Sequence, residues 1–294
     1  MTAQLIDGKA MAAELRAELR AEVAEYVQRE GQTPEVVVVR AGGDAASGVY
    51  SKAILRAAEG VGLTARLEQL PARVMAEELQ DLLQQLNASP HTRGIIVQMP
   101  LPGHLSQQMV ADTLAAEKDI DGISPRSAGN LFLGLPSFLP ATAAAVMEIL
   151  ARTHTPLAGR RAVVISRSNV VGKPLALMLL QKNATVTICH SRTRDLAQIT
   201  RQADVLIAAA GRARMVTGEM VRPGATVIDV GINENPAGSG GIVGDVDFAS
   251  VQPVAGALTP VPGGVGPLTN LLLLKQCMQS LSPQALQSLA QPHC

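Results

Sequence analysis

The chain has 294 residues, 47% of them hydrophobic, 17% charged and 2% aromatic, so it is long enough for two domains whose cores must be aliphatic. Its formal net charge is zero and no basic run stands out, which argues against a nucleic-acid partner. No apolar run approaches the ~20 residues that cross a bilayer. The N-terminus lacks the apolar block of a signal peptide, and Cys189, Cys277 and Cys294 lack metal-type spacing. The expectation is a reduced, cytoplasmic setting with neither metal nor membrane partner.

Residues 9–29 have helical periodicity and strong helix formers. "EVVVVRAGGD" is a β-branched run ending in glycines, hence a buried strand and a loop. "GVYSKAILRAAEGVG", residues 48–62, reads as a helix; it spends one of only two tyrosines in the chain, Tyr50, near its start. "LTARLEQLP" reads as a second strand, "MAEELQDLLQQLNAS" as a helix, and "RGIIVQMPLPG" as a strand entering a Pro-rich turn. Strands alternating with helices indicate parallel βαβ units. Residues 125–142 are aperiodic and rich in Gly and Pro, which reads as an inter-domain connection.

A denser alternation follows: a helix in "AAAVMEILARTH", strands in "RRAVVIS", "TVTICHS", "DVLIAAAG" and "ATVIDVGIN", and helices in "VGKPLALMLLQKNA" and "DLAQITRQA". "GPLTNLLLLKQCMQSL" reads as a final helix, with a loose tail beyond it.

"AVVISRSNVVGKPLALMLL" places a turn between strand and helix, where ligands bind in open parallel sheets and where a helix N-terminus offers N–H donors to phosphate. Arg167, Ser168 and Lys173 add charge and a hydroxyl. The fit to G-x-G-x-x-G is poor, because Ser166 stands at the first glycine; an ordinary βα turn has the same pattern. At the next strand end, "CHSRTRD" offers Arg192 where NAD binders place an acid. Arg192 therefore reads as a clamp for the 2′-phosphate of NADP, or as a solvated surface charge.

Taken together, "VYSK…GVGL", "GIIVQMPLPGHL", "EKDIDGISPRSAGNL", "SRSNVVGKPLALMLL", "ATVTICHSRT", "VIDVGIN", "GDVDF" and "LTPVPGGVGPLT" resemble the methylenetetrahydrofolate dehydrogenase/cyclohydrolases of the bacterial FolD type. The likeness runs from near residue 40 to near residue 270. It implies two α/β domains with an interdomain cleft: a folate-binding catalytic domain over 1–124, to which a C-terminal helix over 267–294 returns, and a Rossmann-like parallel-sheet domain over 140–266. It further implies NADP-dependent oxidation of 5,10-methylenetetrahydrofolate, with NAD the less favoured cofactor. Hydrolysis to 10-formyltetrahydrofolate would follow, in a homodimer whose small-molecule partners are tetrahydrofolate derivatives.

Residue by residue, the resemblance makes Tyr50 the stacking partner of folate. It makes Gln98 the amide aimed at the one-carbon unit, between Val97 and Met99, and Asp121 the acid that pairs with the pterin edge. These three are the expected catalytic residues. Pro262, Gly263, Gly264, Val265 and Gly266 match the loop over folate, and Ser166, Arg167, Ser168, Ser191, Arg192 and Ile232 the NADP contacts.

One departure matters for chemistry. The family pattern reads Tyr, three residues, then a Lys that serves as acid–base in hydrolysis; ungapped counting from Tyr50 gives Ile54. On a helix Lys52 and Arg56 each lie ~200° around from position 54, so neither takes its place. Two smaller departures are a missing cysteine in "FLPAT" and Asn270 after "GPLT". The expectation is a dehydrogenase whose cyclohydrolase step is weak or lost. The alternatives are a fully bifunctional enzyme or a non-catalytic paralogue that binds folate or nucleotide.

Overall fold

The computed structural model describes residues 2–43, 45–236 and 240–281. In chain order the first elements are β1 (Gln4–Leu5), α1 (Gly8–Glu30), β2 (Glu35–Ala41), α2 (Ala45–Val61), β3 (Thr64–Leu70), α3 (Ala76–Ala88), β4 (Thr92–Val97), α4 (Gln107–Thr113) and α5 (Pro125–Leu133). Then come α6 (Ala141–Arg152), β5 (Arg161–Ile165), α7 (Gly172–Gln181), β6 (Thr185–Cys189), α8 (Leu196–Thr200), β7 (Val205–Ala208) and β8 (Thr226–Asp229). The chain closes with β9 (Asn233–Glu234), β10 (Ile242–Val243), α9 (Phe248–Val251), β11 (Ala257–Leu258) and α10 (Gly266–Gln279).

Two compact units divide these elements: Ala13–Ala141 with residues 270–281, and residues 2–12 with Thr142–Thr269. This differs from the expected boundaries in three places. Residues 2–12 join the second unit, because β1 pairs in parallel with β11. The first unit runs on past residue 124 to Ala141, and α10 is shared, its first turn lying in one unit and the rest in the other. The expected loose tail lies outside the described residues.

The unit of Ala13–Ala141 holds a three-stranded parallel sheet of order β3-β2-β4. Val37, Val39, Ala41, Ile95 and Val97 share one face and pack with Leu79, Leu83 and Leu86 of α3. Burying each such leucine contributes roughly 1.5–3 kcal/mol. Helix α2 packs on β2 and β3 and buries Ile54, Ala58 and Val61. Residues 125–133, expected as aperiodic, form α5. Ser124 accepts the Ser127 N–H as N-cap, Pro125 takes the first turn, and Gly134 closes the helix at φ 70°. Capping, not periodicity, specifies this short helix.

The other unit carries a six-stranded sheet of order β1-β11-β8-β7-β5-β6, parallel throughout. β5 lies between β6 and β7, so the direction of strand addition reverses there, and such a switch point is where doubly wound sheets bind ligands. Its core is aliphatic, built from Val163, Ile165, Leu206, Val227, Val246 and Leu258 among others.

Candidate functional site

In the first unit the expected residues gather at strand ends. Gln98 directly follows β4, and its N–H donates to the Val39 carbonyl (2.8 Å), continuing the ladder one residue beyond the strand. Gln98 is 6% exposed. Val97 is buried and Met99 half-exposed, and the Met99–Pro100 bond is cis.

Asp121 is held by its surroundings. Ile95 N–H donates to the Lys118 carbonyl (2.7 Å), and Asp119 bridges in parallel to Ile95, which brings the 118–122 turn alongside β4. The buried Asp119 carboxylate accepts N–H donors from Ile123 (3.1 Å) and Ser124 (2.8 Å) and the Ser127 hydroxyl (2.9 Å). Burial raises the pKa of Asp119 despite these donors. Gly122 turns the chain at φ 61°, and a Cβ there would strike the Phe138 carbonyl. Gln276 of α10 pins the same turn: its amide donates to the carbonyls of Ile120 and Leu139 (both 2.8 Å) and accepts the Leu139 N–H.

The Asp121 carboxyl is pushed up to about 7, by burial first and then by the Asp119 charge, against the lowering effect of the Ala141 N–H. Tyr50 feels Asp121 in turn: burial and that carboxylate hold its phenol well above the usual range. The fold therefore brings Tyr50 and Asp121 together, 71 residues apart in the chain. Ile54, one turn further along α2, is 0% exposed, whereas Lys52 and Arg56 face solvent.

The nucleotide-side residues all follow the carboxyl ends of parallel strands: Ser166, Arg167 and Ser168 after β5, Ser191 and Arg192 after β6, and Ile232 after β8. Ser168 Oγ accepts the N–H groups of Val171 (3.1 Å) and Gly172 (3.3 Å) at the start of α7. A Cβ on Gly172 would collide with the backbone of Ser166, so this glycine is what lets strand and helix approach so closely. Lys173 is tied to Asn169 (2.8 Å). His190 Nδ1 accepts the Arg192 N–H (3.1 Å), which sets the turn that leaves the Arg192 side chain exposed. Ile232 is 67% exposed, a large apolar side chain at a strand end. Hydroxyls, an exposed guanidinium and an uncovered aliphatic face at strand ends fit a dinucleotide.

Pro262, Gly263, Gly264, Val265 and Gly266 run from β11 into α10, with a cis Val261–Pro262 bond. Gly263 has φ 111°, and a Cβ on Gly264 would come 2.6 Å from the Pro260 carbonyl oxygen. Gly8 packs directly against the Gly264 backbone, and the Lys9 side chain lies over Gly263.

Sequence reasoning missed several residues of this framework. Asp119 is the first acid of "KDIDG" and Asp245 the first acid of "GDVDF", and neither was given a role from the sequence. Arg40 was also missed: its guanidinium lies against α2, where a Cβ on Gly48 would come 2.9 Å from Nη1. The signal was a charged residue inside an otherwise aliphatic strand.

A parallel sheet with a strand–loop–helix at its switch point, in a chain with a second parallel α/β unit, is the architecture of nucleotide-dependent α/β enzymes. Two family profiles match: the tetrahydrofolate dehydrogenase/cyclohydrolase catalytic domain over residues 6–121 and the NAD(P)-binding domain of the same enzymes over 140–285. The chain is 49% identical over 288 residues to the "Bifunctional protein FolD" of Herpetosiphon aurantiacus, covering 97% of this chain and 100% of the relative. The Campylobacter jejuni FolD methylenetetrahydrofolate dehydrogenase/cyclohydrolase structure superposes with a TM-score of 0.91 at 40% identity, over 95% of this chain and 98% of that one. The Trypanosoma brucei FolD structure, complexed with NADP cofactor and inhibitor, gives 0.91 at 36% identity, over 95% and 97%. The chain belongs to the tetrahydrofolate dehydrogenase/cyclohydrolase family. No helix among the described residues is long and apolar enough to cross a membrane.

Proposed function

We propose that the chain oxidises 5,10-methylenetetrahydrofolate to the 5,10-methenyl compound with NADP+, and that hydrolysis to 10-formyltetrahydrofolate is weak or lost. Ile54 carries the second half of this reading. At the position the family pattern gives to its lysine stands a fully buried aliphatic side chain, and the nearest basic residues of α2 face solvent. Ile54 can neither take nor give a proton, and a positioned acid–base group contributes ~10²- to 10⁴-fold to rate.

Hydride transfer depends on positioning. Tyr50 supplies an aromatic surface, and its raised phenol stays protonated and donates. Gln98 supplies an amide and Asp121 a carboxyl able to take donors from the pterin edge. NADP would supply the hydride acceptor, held by Ser166, Arg167, Ser168, Ser191, Arg192 and Ile232; NADP in the trypanosomal relative supports that choice. The Pro262–Gly266 loop would cover the folate. A homodimer in the cytoplasm completes the reading, and light scattering of the purified chain tests the dimer.

A second reading has one observation behind it. The Herpetosiphon relative, 49% identical, is named bifunctional, so full bifunctionality is the competitor. One assay separates them. The purified chain is given 5,10-methylenetetrahydrofolate and NADP+, and methenyl absorbance is followed. Accumulation of a methenyl product that decays no faster than in buffer supports the proposal. Decay well above buffer supports bifunctionality. No oxidation with either NADP+ or NAD+ defeats both and leaves a binding protein.

A further inference from the structure

Two buried carboxylates in the sheet unit have no part in the proposed chemistry, yet loops from four strand ends converge on them. Asp245 Oδ2 accepts the N–H groups of Ala210 (2.5 Å) and Gly211 (2.9 Å), and its Oδ1 accepts the Arg212 N–H (2.8 Å) and the Asn233 amide (2.9 Å). Asp229 Oδ1 accepts the N–H groups of Gly231 (2.9 Å) and Asp245 (3.0 Å), and its Oδ2 accepts that of Val246 (2.9 Å). The Asp229 N–H in turn donates to Thr259 Oγ1 (2.7 Å). Two glycines make room for the pair. A Cβ on Gly231 would run into the Asp245 carboxylate, and one on Gly244 into that of Asp229.

Burying two carboxylates side by side is costly, and N–H donors offset that cost only while the loops keep their shape. Those loops have a particular place. Residues 210–212 follow β7, which with β5 forms the switch point, and residues 231–232 follow β8. Thr259 leads from β11 into the Pro260–Gly266 segment.

We propose that Asp245 is a positioning residue for the dinucleotide: it fixes the 210–212 loop as one wall of the cofactor crevice, and Asp229 couples that wall to the 231–232 turn and, through Thr259, to the Pro260–Gly266 loop. The inference rests on the nucleotide reading of this unit. Three N–H groups on one carboxylate specify a loop conformation that a solvated turn would not hold. Replacing one oxygen by an NH2 group sets donor against donor and turns the loop away.

The test is titration of the whole purified chain with NADP+ by calorimetry, together with steady-state kinetics and a thermal melt. In Asp245→Asn the Kd and KM for NADP+ should rise about tenfold or more, while kcat at saturating cofactor and KM for the folate stay within about threefold. Asn233→Ala, which removes one of the four donors and is milder for folding, should raise Kd for NADP+ about two- to fivefold. A melt lowered in both variants with unchanged Kd for NADP+ makes the pair a fold staple and overturns the proposal. A wild-type chain that binds no NADP+ defeats the nucleotide reading itself, and the proposal with it; wild-type binding with unaltered variants defeats the proposal alone.

Discussion

The Asp121 carboxylate acts on the Tyr50 phenol, and each group is shifted upward by burial and by a neighbouring carboxylate, Asp119 for Asp121 and Asp121 for Tyr50. A phenol so disposed is a donor and a flat surface, never a base. Tyr50→Phe keeps the surface and should retain kcat/KM for methylenetetrahydrofolate within about fivefold. Tyr50→Ala removes the stacking area and should lose tenfold or more. Equal losses in the two variants would assign the work to the hydroxyl.

Restoring the lysine is the direct probe of Ile54. The site is fully buried, so Ile54→Lys places an ammonium among aliphatic side chains and should lower stability, on the order of a few kcal/mol. If the pocket is otherwise intact, methenyl decay should nonetheless rise above the wild type by tenfold or more. A folded variant with no gain would mean that hydrolysis had lost more than the amine.

The pH dependence of stability has a defined sign. Asp121 at about 7 and Asp229 at about 6 both stand above the ordinary carboxyl value of 3.8, because burial disfavours their charged forms. The folded chain therefore holds protons that the unfolded chain has released, and these two groups make stability fall as pH rises from about 4 to about 7. Urea melts at pH 5, 6, 7 and 8 should show this decline. Asp121→Asn should reduce it by an amount on the order of 1–3 kcal/mol. A profile identical to the wild type would show that Asp121 ionises normally.

Cofactor choice is read most cleanly at Arg192. A guanidinium that grips a 2′-phosphate discriminates NADP from NAD, while a solvated charge does neither. Arg192→Ala should raise KM for NADP+ by about 10- to 100-fold and leave NAD+ within about threefold. Parallel changes with both cofactors would place Arg192 outside the ribose site.

Local chemistry in the chain settled the alternation of strand and helix, the parallel sheets and the strand-end positions of Gln98 and Ser166. β-Branched runs, helix formers and glycine turns act over a few residues, so a linear reading captures them. The family motifs named candidate residues, and the count from Tyr50 found Ile54. Capping hid α5, because Ser124, Pro125 and Gly134 specify a helix too short to show a period. The grouping of β1 with β11 was hidden too, because two-residue strands pair only when a distant edge is ready to receive them. Tertiary structure alone decided that Asp121 meets Tyr50, that Gln276 pins the turn beneath it, and that Asp245 gathers three N–H groups from a loop 33–35 residues earlier in the chain. A carboxylate's partners and its protonation follow from burial and from neighbours that only the folded chain brings near, and neither is written in local sequence.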